Sequence, residues 1–205
     1  MTAGSYFLFT LVAASTVLSP GPGVVMTLSN ALRKGYRGTV GGIFGVAIGA
    51  LFVAGVSATS LGLLLAASSF AFNTLKFIGA AYLIYLGLKL WFSSAFTFAE
   101  LHAGEGGLWA TFLEGLTLQL TNPKAIFFFL SVFPQFIERE ENYPTQFFIL
   151  VLTYSTLVIF IHSLYAFFAK RAKHWLTSEI GSRLIKRMSG TAFVFFGVAL
   201  ALYEH

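Results

Sequence analysis

Residues 6–30 read YFLFTLVAASTVLSPGPGVVMTLSN, a stretch without a charged side chain and with a proline–glycine cluster inside it. A bilayer core about 30 Å thick takes roughly 20 apolar residues per helical crossing, at about 1.5 Å of rise per residue. The stretch is therefore long enough to cross. The cluster Ser19-Pro20-Gly21-Pro22-Gly23 then falls where a crossing helix would otherwise run unbroken through lipid. Length and interruption together set the expectation for the chain: apolar helices, at least one of them broken.

Outward from this stretch, further charge-poor runs follow at 40–66, 71–92, 109–136, 146–169 and 188–203, so the sequence predicts six transmembrane spans. The last is short for a full crossing. Of the 205 residues, 57% are hydrophobic and 10% charged, against roughly 25% charged residues in an ordinary soluble domain. Six crossings use up most of such a chain. The expectation is an all-α polytopic membrane protein forming a single domain over 1–205. No basic segment precedes the first run, so that run is expected to stay and not be cleaved. The absence of Cys removes disulfides, thiolate metal ligation and dithiol redox chemistry, and Asp is absent as well.

The net charge of +5 sits mainly at span ends, which fits an anionic leaflet and not nucleic acid. Arg33, Lys34, Arg37, Lys89, Lys170, Arg171, Lys173, Arg183, Lys186 and Arg187 fall on one side; Lys76 and Arg139 fall on the other. Cytoplasmic loops collect Lys and Arg, so both termini are expected outside the cytoplasm. The acidic loop residues Glu138, Glu140 and Glu141 carry little weight in that rule.

A second interruption, Thr121-Asn122-Pro123-Lys124, lies in the fourth run, 103 residues beyond the first when counted from Pro20 to Pro123. Each break is a capping residue followed by proline, Ser19-Pro20 and Asn122-Pro123, which is how a helix begins. Matched breaks in spans one and four divide the chain into three-helix repeats, 1–100 and 108–205. An odd number of spans per repeat makes the two inverted. The prolines also free backbone groups: Pro20, Pro22 and Pro123 cannot donate to the carbonyls of Thr16, Leu18 and Gln119. An unpaired group in lipid costs several kcal/mol, about as much as a lost hydrogen bond in an apolar medium. Beyond each proline the first amides point forward with the positive end of a helix dipole behind them. Free carbonyls suit an ammonium and free amides a carboxylate. The twin breaks thus match a zwitterionic amino acid, with Ser19, Pro20, Gly21, Pro22, Gly23, Asn122, Pro123 and Lys124 as substrate-binding candidates. Prolines that only kink a helix for packing would account for one break; two at matched positions favour a site.

Lys124 stands next to Pro123 at a depth where a charge costs at least ~2.5 kcal/mol. It can meet a substrate carboxylate, carry a proton, or, structurally, pair with a freed carbonyl such as that of Gln119. His162 in span five can relay protons or be satisfied by a neighbouring helix. Glu114 lies about a turn inside Trp109, between interface and interior. Tyr82 and Tyr85 share a face of span three, where packing is the ordinary role. These residues are the secondary, proton-coupling candidates. Gly41, Gly45 and Gly49 form a close-packing stripe, used by default within the monomer and otherwise available to a homodimer.

In their order and spacing, these strings resemble the LysE/RhtB family of bacterial amino-acid exporters. The resemblance rests on Ser19-Pro20-Gly21-Pro22, the glycine-rich run from Arg33-Lys34-Gly35 to Gly49, and Gly79-Ala80-Ala81-Tyr82-Leu83 with Tyr85-Leu86-Gly87. It continues through Gly115, Asn122-Pro123-Lys124, Phe127-Phe128-Phe129 and Phe133-Pro134-Gln135-Phe136 to Gly190 and Gly197. It implies six spans in a bacterial inner membrane and proton antiport of a small amino acid or related metabolite out of the cytoplasm. Glu114 and His162 match none of its positions. The partners expected are membrane lipid, a small-molecule amino acid and protons, with no nucleic acid, no cofactor and no metal site. A neutral, homoserine- or threonine-like substrate is favoured because no clear buried acid awaits a basic one. The rivals are an ion or small-solute channel, built from the same freed carbonyls, and a cation efflux protein of the same family. The second suffers from the lack of Cys and Asp ligands. The chain has no His-Glu-x-x-His, aspartate pair or Gly-x-Ser-x-Gly, so it is not expected to be an enzyme.

Overall fold

The structure is a computed structural model that describes residues 1–67, 69–92, 106–137 and 142–202. The described residues form helices and no strand: α1 (Ala3–Leu18), α2 (Pro22–Ala67), α3 (Ser69–Phe92), α4 (Leu108–Leu120), α5 (Pro123–Phe127), α6 (Tyr143–Phe167), α7 (Ala169–Thr177) and α8 (Glu179–Leu202). After α5 the chain widens into a π turn at Phe128–Val132 and tightens into a 3₁₀ turn at Phe133–Phe136. The expected loop residues Glu138, Arg139, Glu140 and Glu141 lie outside the described residues, as does Tyr203.

The two breaks fall where the prolines put them. α1 starts under a Thr2 cap that accepts the amide of Ser5 at 3.1 Å, and it ends at Leu18 with Ser19 extended. Helix resumes at Pro22, not at the expected Ser19-Pro20 start: Ser19 closes α1, its amide donating to Ser15 O at 3.0 Å, and the next helix opens after Gly21. α4 stops at Leu120, and α5 opens at Pro123 under an Asn122 cap. The two helices on either side of this second break meet at 52°.

α2 is not one straight rod. At Gly35 the backbone takes φ 71° and ψ 178°, a conformation that a side chain would disfavour. A β-carbon on Gly42 would stand 3.1 Å from Met26 Cε and 3.9 Å from Asn30 Nδ2. On a straight helix Met26 and Gly42 would be about 24 Å apart. The chain therefore doubles back at Gly35, and residues 22–34 pack alongside the stretch that follows. Val24 and Leu28 accordingly share one apolar cluster with Ile43. The turn separates the first expected span from the second.

Small residues set the helix contacts. β-carbons on Gly41 and Gly45 would collide with the carbonyl oxygens of Leu108 and Phe112, and one on Gly115 with that of Gly42. The glycine stripe read from the sequence is thus used within the chain, to bring α2 against α4 backbone to backbone. α3 meets α8 the same way, with Gly87 facing Gly190 and Gly197 facing the Ala80 carbonyl. The main core is aromatic: Phe9, Phe128, Phe129, Phe133 and Tyr154 are all buried, and Phe9 meets Phe133 edge-on at 5.9 Å.

Several polar side chains share the interior with this core, and many large apolar ones face outward. Asn30, Gln119, Asn122 and His162 are buried, whereas Phe7, Phe92, Phe148 and Leu202 face outward, from 61% exposure for Phe148 to 82% for Phe92. Polar groups inside and large apolar groups outside fit a lipid surround. By length and apolarity alone, Pro22–Ala58 and Tyr143–Phe167 each suffice to cross, although the reversal at Gly35 divides the first of these; the bent pair Leu108–Leu120 with Pro123–Phe136 adds a third candidate, and Ala3–Leu18 and Phe77–Phe92 are shorter apolar helices.

Candidate functional site

Pro20 leaves the Thr16 carbonyl without its helical donor, and the extended Ser19 turns its own carbonyl out of α1. Lys124 answers both: its Nζ donates to Thr16 O at 2.8 Å and to Ser19 O at 2.9 Å. The first break is thereby tied to the second by one ammonium. The close approach depends on Gly21, where a β-carbon would stand 3.2 Å from Nζ. The third freed group, Leu18 O, accepts the Tyr165 hydroxyl at 2.9 Å. At the second break, Gln119 O is taken locally by the Asn122 amide at 3.2 Å. Lys124 therefore pairs with freed carbonyls, as one reading of the sequence holds, but with those of the opposite break and not with Gln119.

The amides divide unequally. α2 begins at Pro22 and its first backbone bond runs from the Val25 amide to Gly21 O at 3.0 Å, so the amides of Gly23 and Val24 have no intrahelical acceptor. At α5 the Asn122 side chain accepts the Lys124 amide at 3.1 Å, which partly closes that end. An anion thus finds more open donors at the first break than at the second.

Between the breaks lies a cavity of about 20 Å³, lined among others by Gly21, Gly23, Gln119, Asn122, Lys124 and His162. A space of this size holds about one water. It is too small for an amino acid in this conformation. The structure brings five of the eight substrate-binding candidates from the sequence together here: Gly21, Gly23, Asn122 and Lys124 line the cavity, and the Ser19 carbonyl accepts from Lys124. Pro20, Pro22 and Pro123 act by what they lack, an N–H.

His162 belongs to this cluster. Its Nδ1 lies 2.7 Å from Thr27 Oγ1, and a β-carbon on Gly23 would stand 3.2 Å from its Cε1. Glu114 lies in the contact between α2 and α4, where its carboxylate accepts Asn30 Nδ2 at 3.0 Å. Tyr82 and Tyr85 are not among the cavity residues; Tyr82 stacks on Phe127 at 4.2 Å, and Lys89 sits 5.7 Å over the Tyr85 ring. Sequence reasoning missed Thr27, Tyr154 and Tyr165, and singled out Gln119 for its carbonyl and not as a residue lining the cavity. Tyr154 lines the cavity together with Gln119 and packs on Phe128 and Phe129. The one usable signal was Leu18, whose freed carbonyl required a donor from elsewhere in the chain.

Tyr165→Phe tests this directly. Removing the hydroxyl leaves Leu18 O without its side-chain donor, at a cost of about 1–3 kcal/mol. The variant should melt several degrees below the wild type in detergent, by intrinsic fluorescence. An unchanged midpoint would mean that Leu18 O has another donor.

A profile of the family described as LysE type translocator matches residues 14–204. Among curated proteins, the chain is 31% identical over 205 residues to a homoserine/homoserine lactone efflux protein of Salmonella typhimurium, covering 100% of both chains. It has the same identity and coverage with the protein of that name from Salmonella typhi. It is also 32% identical over 193 residues to an uncharacterized membrane protein of Vibrio cholerae, covering 94% of each chain. No solved structure matches.

Proposed function

The chain belongs to the LysE type translocator family, whose members are membrane transporters and not enzymes, and on that footing we propose that it exports a small neutral amino acid by proton antiport. The substrate class follows from the homoserine and homoserine lactone in the relatives' names, and from a cavity whose described lining carries no carboxylate for a basic substrate. The proposed setting is a bacterial inner membrane crossed six times, with repeats 1–100 and 108–205 inverted and both termini outside the cytoplasm. The reversal at Gly35 supports this count, because it turns one long helix into two antiparallel passes.

One observation carries the reading: Lys124, from the second break, occupies the carbonyls freed by the first. Its ammonium stands where a substrate ammonium would bind. A zwitterion entering between the breaks offers its carboxylate to Lys124 and to the open amides of Gly23 and Val24. Drawn off the carbonyls, Lys124 leaves Thr16 O and Ser19 O to the substrate's own ammonium. Substrate thus replaces an internal tie between the two halves with a tie through itself, which couples binding to opening. Exchange against protons draws on the two basic side chains of the cavity, Lys124 and His162.

Purified protein in liposomes loaded with labelled homoserine or threonine should release label faster when a pH gradient is imposed, and release should saturate with substrate. Flux that is absent across a panel of neutral amino acids removes the proposal. Flux that is proton-independent and does not saturate favours a channel.

A further inference from the structure

Away from the breaks, a second and larger cavity of about 470 Å³ opens beside the Gly35 turn, against the junction of α6 and α7. We propose that it is a binding site for one anionic phospholipid, with the phosphate held by Lys170 and Arg171 and the acyl chains leaving along Tyr36 and Phe167. The volume is that of a ligand cleft, which runs from roughly 300 to 1,000 Å³.

The chemistry is split along its length. α6, a helix apolar enough to cross, ends at Phe167, and the chain turns at Phe168 (φ −96°, ψ 24°) into the short basic helix α7. Lys170 and Arg171 line the cavity from the first turn of α7, both exposed. Among the described residues neither side chain has an ion pair or hydrogen bond. The two described carboxylates are engaged elsewhere, Glu114 by Asn30 and Glu179 by Arg183. Two adjacent cations with no counter-ion among the described residues suit an anion, and the planar guanidinium suits a phosphate.

The remaining wall decides which anion. Tyr36, Phe167 and Phe168 are 43%, 71% and 46% exposed, and the Tyr36 and Phe167 rings meet edge-on at 6.4 Å. Exposed rings at the end of an apolar helix sit at headgroup level, with their apolar bodies toward the acyl chains. A soluble anion would leave these rings uncovered; a phospholipid covers them with its tails. Gly35 keeps the other wall low, since a β-carbon there would meet nothing within 4 Å. Basic pockets between membrane helices are a recognised setting for lipid headgroups. This inference does not depend on the transported substrate.

The test is native mass spectrometry of the full chain in detergent, titrated with phosphatidylglycerol or with phosphatidylcholine of the same acyl chains. One phosphatidylglycerol should bind roughly tenfold more tightly than phosphatidylcholine. The double variant Lys170→Gln/Arg171→Gln should lose that preference, weakening phosphatidylglycerol about 10- to 30-fold, as expected for two near-surface cations. Arg183→Gln, on α8, should bind as the wild type does. Circular dichroism reports whether the double variant is folded; if it is not, Lys170→Gln alone should weaken phosphatidylglycerol about fivefold. Equal binding of the two lipids, retention of the preference in the charge-neutral variants, or an equal loss in Arg183→Gln would each overturn the proposal. Displacement of the lipid by millimolar inorganic phosphate would overturn it too, because the site would then read a free ion.

Discussion

Lys124→Ala should lower transport at least 100-fold while the protein still inserts. The substitution removes two charge-assisted hydrogen bonds, to Thr16 O at 2.8 Å and Ser19 O at 2.9 Å, and the only cation proposed to meet the substrate carboxylate. A hydrogen bond to a charged group is worth about 1.5–3 kcal/mol, and tenfold in rate takes about 1.4 kcal/mol, so losing two exceeds 100-fold if both are remade with substrate during the cycle. Alanine also strands two carbonyls, so a loss of stability has to be separated from a loss of function. Lys124→Gln can still donate to one carbonyl, and should restore part of the melting temperature without restoring transport. Lys124→Arg keeps the charge, but its rigid fork must fit beside Gly21 in a cavity of about 20 Å³, and it should transport at least tenfold more slowly. Uphill uptake into proteoliposomes, normalised to inserted protein, checks all three. Wild-type flux in Lys124→Ala would confine the residue to bracing the breaks, and the proposed exchange of ammonium groups would be lost.

The positions of both breaks were legible in the sequence because their cause is local. A proline removes one donor at a known offset, and Asn122 before Pro123 marks a new helix start; Ser19 instead closes α1, and helix resumes only at Pro22. Lys124 could be singled out for the same reason, as a charge beside such a break. Its partners could not. The local geometry offered Gln119 O, but the chain closes a tight turn in which the Asn122 amide takes that oxygen at 3.2 Å. Lys124 then reaches Thr16 and Ser19, whose proximity is set by how two halves pack and not by any spacing along the chain. Thr27 was invisible for a related reason. A threonine in an apolar helix ordinarily bonds its own backbone, as Thr16 does to Val12 O at 2.8 Å, so nothing marked it as the partner of His162. Tyr82 and Tyr85 show what helical spacing leaves open: a shared helix face indicates that two hydroxyls are neighbours, not what they face.

The glycine stripe was legible as a packing face, and the identity of its partner turns that reading into the second large effect. Gly45→Val should prevent stable assembly of the protein. A β-carbon at Gly45 would strike the Phe112 carbonyl oxygen and stand 2.8 Å from the Leu116 amide nitrogen, both backbone atoms of α4 that no rotamer change can move aside. Overpacking of a flexible core already costs about 1–3 kcal/mol, against a total stability of roughly 5–15 kcal/mol for a domain. A branched side chain pressed on backbone exceeds that range, because relief requires α2 and α4 to separate along the whole stripe. The stripe continues through Gly41 against Leu108 and Gly49 against Gln119, so separation at Gly45 would loosen those contacts as well. α4 also ends at Leu120, immediately before the Asn122 cap that orients Lys124, so a displaced α4 moves the ammonium off its carbonyls. The smaller change Gly45→Ala should therefore leave folded protein with a lowered melting temperature and at least tenfold slower transport. Gly55 supplies the control, since a β-carbon there meets nothing within 4 Å. Gly55→Ala should be neutral or stabilising by about 0.5–1 kcal/mol through helix propensity alone. Size-exclusion chromatography and thermal unfolding in detergent distinguish these outcomes. Gly45→Val that elutes and melts like the wild type would mean that α2 and α4 are not in backbone contact, and the placement of Lys124 opposite Thr16 and Ser19 would fall with it.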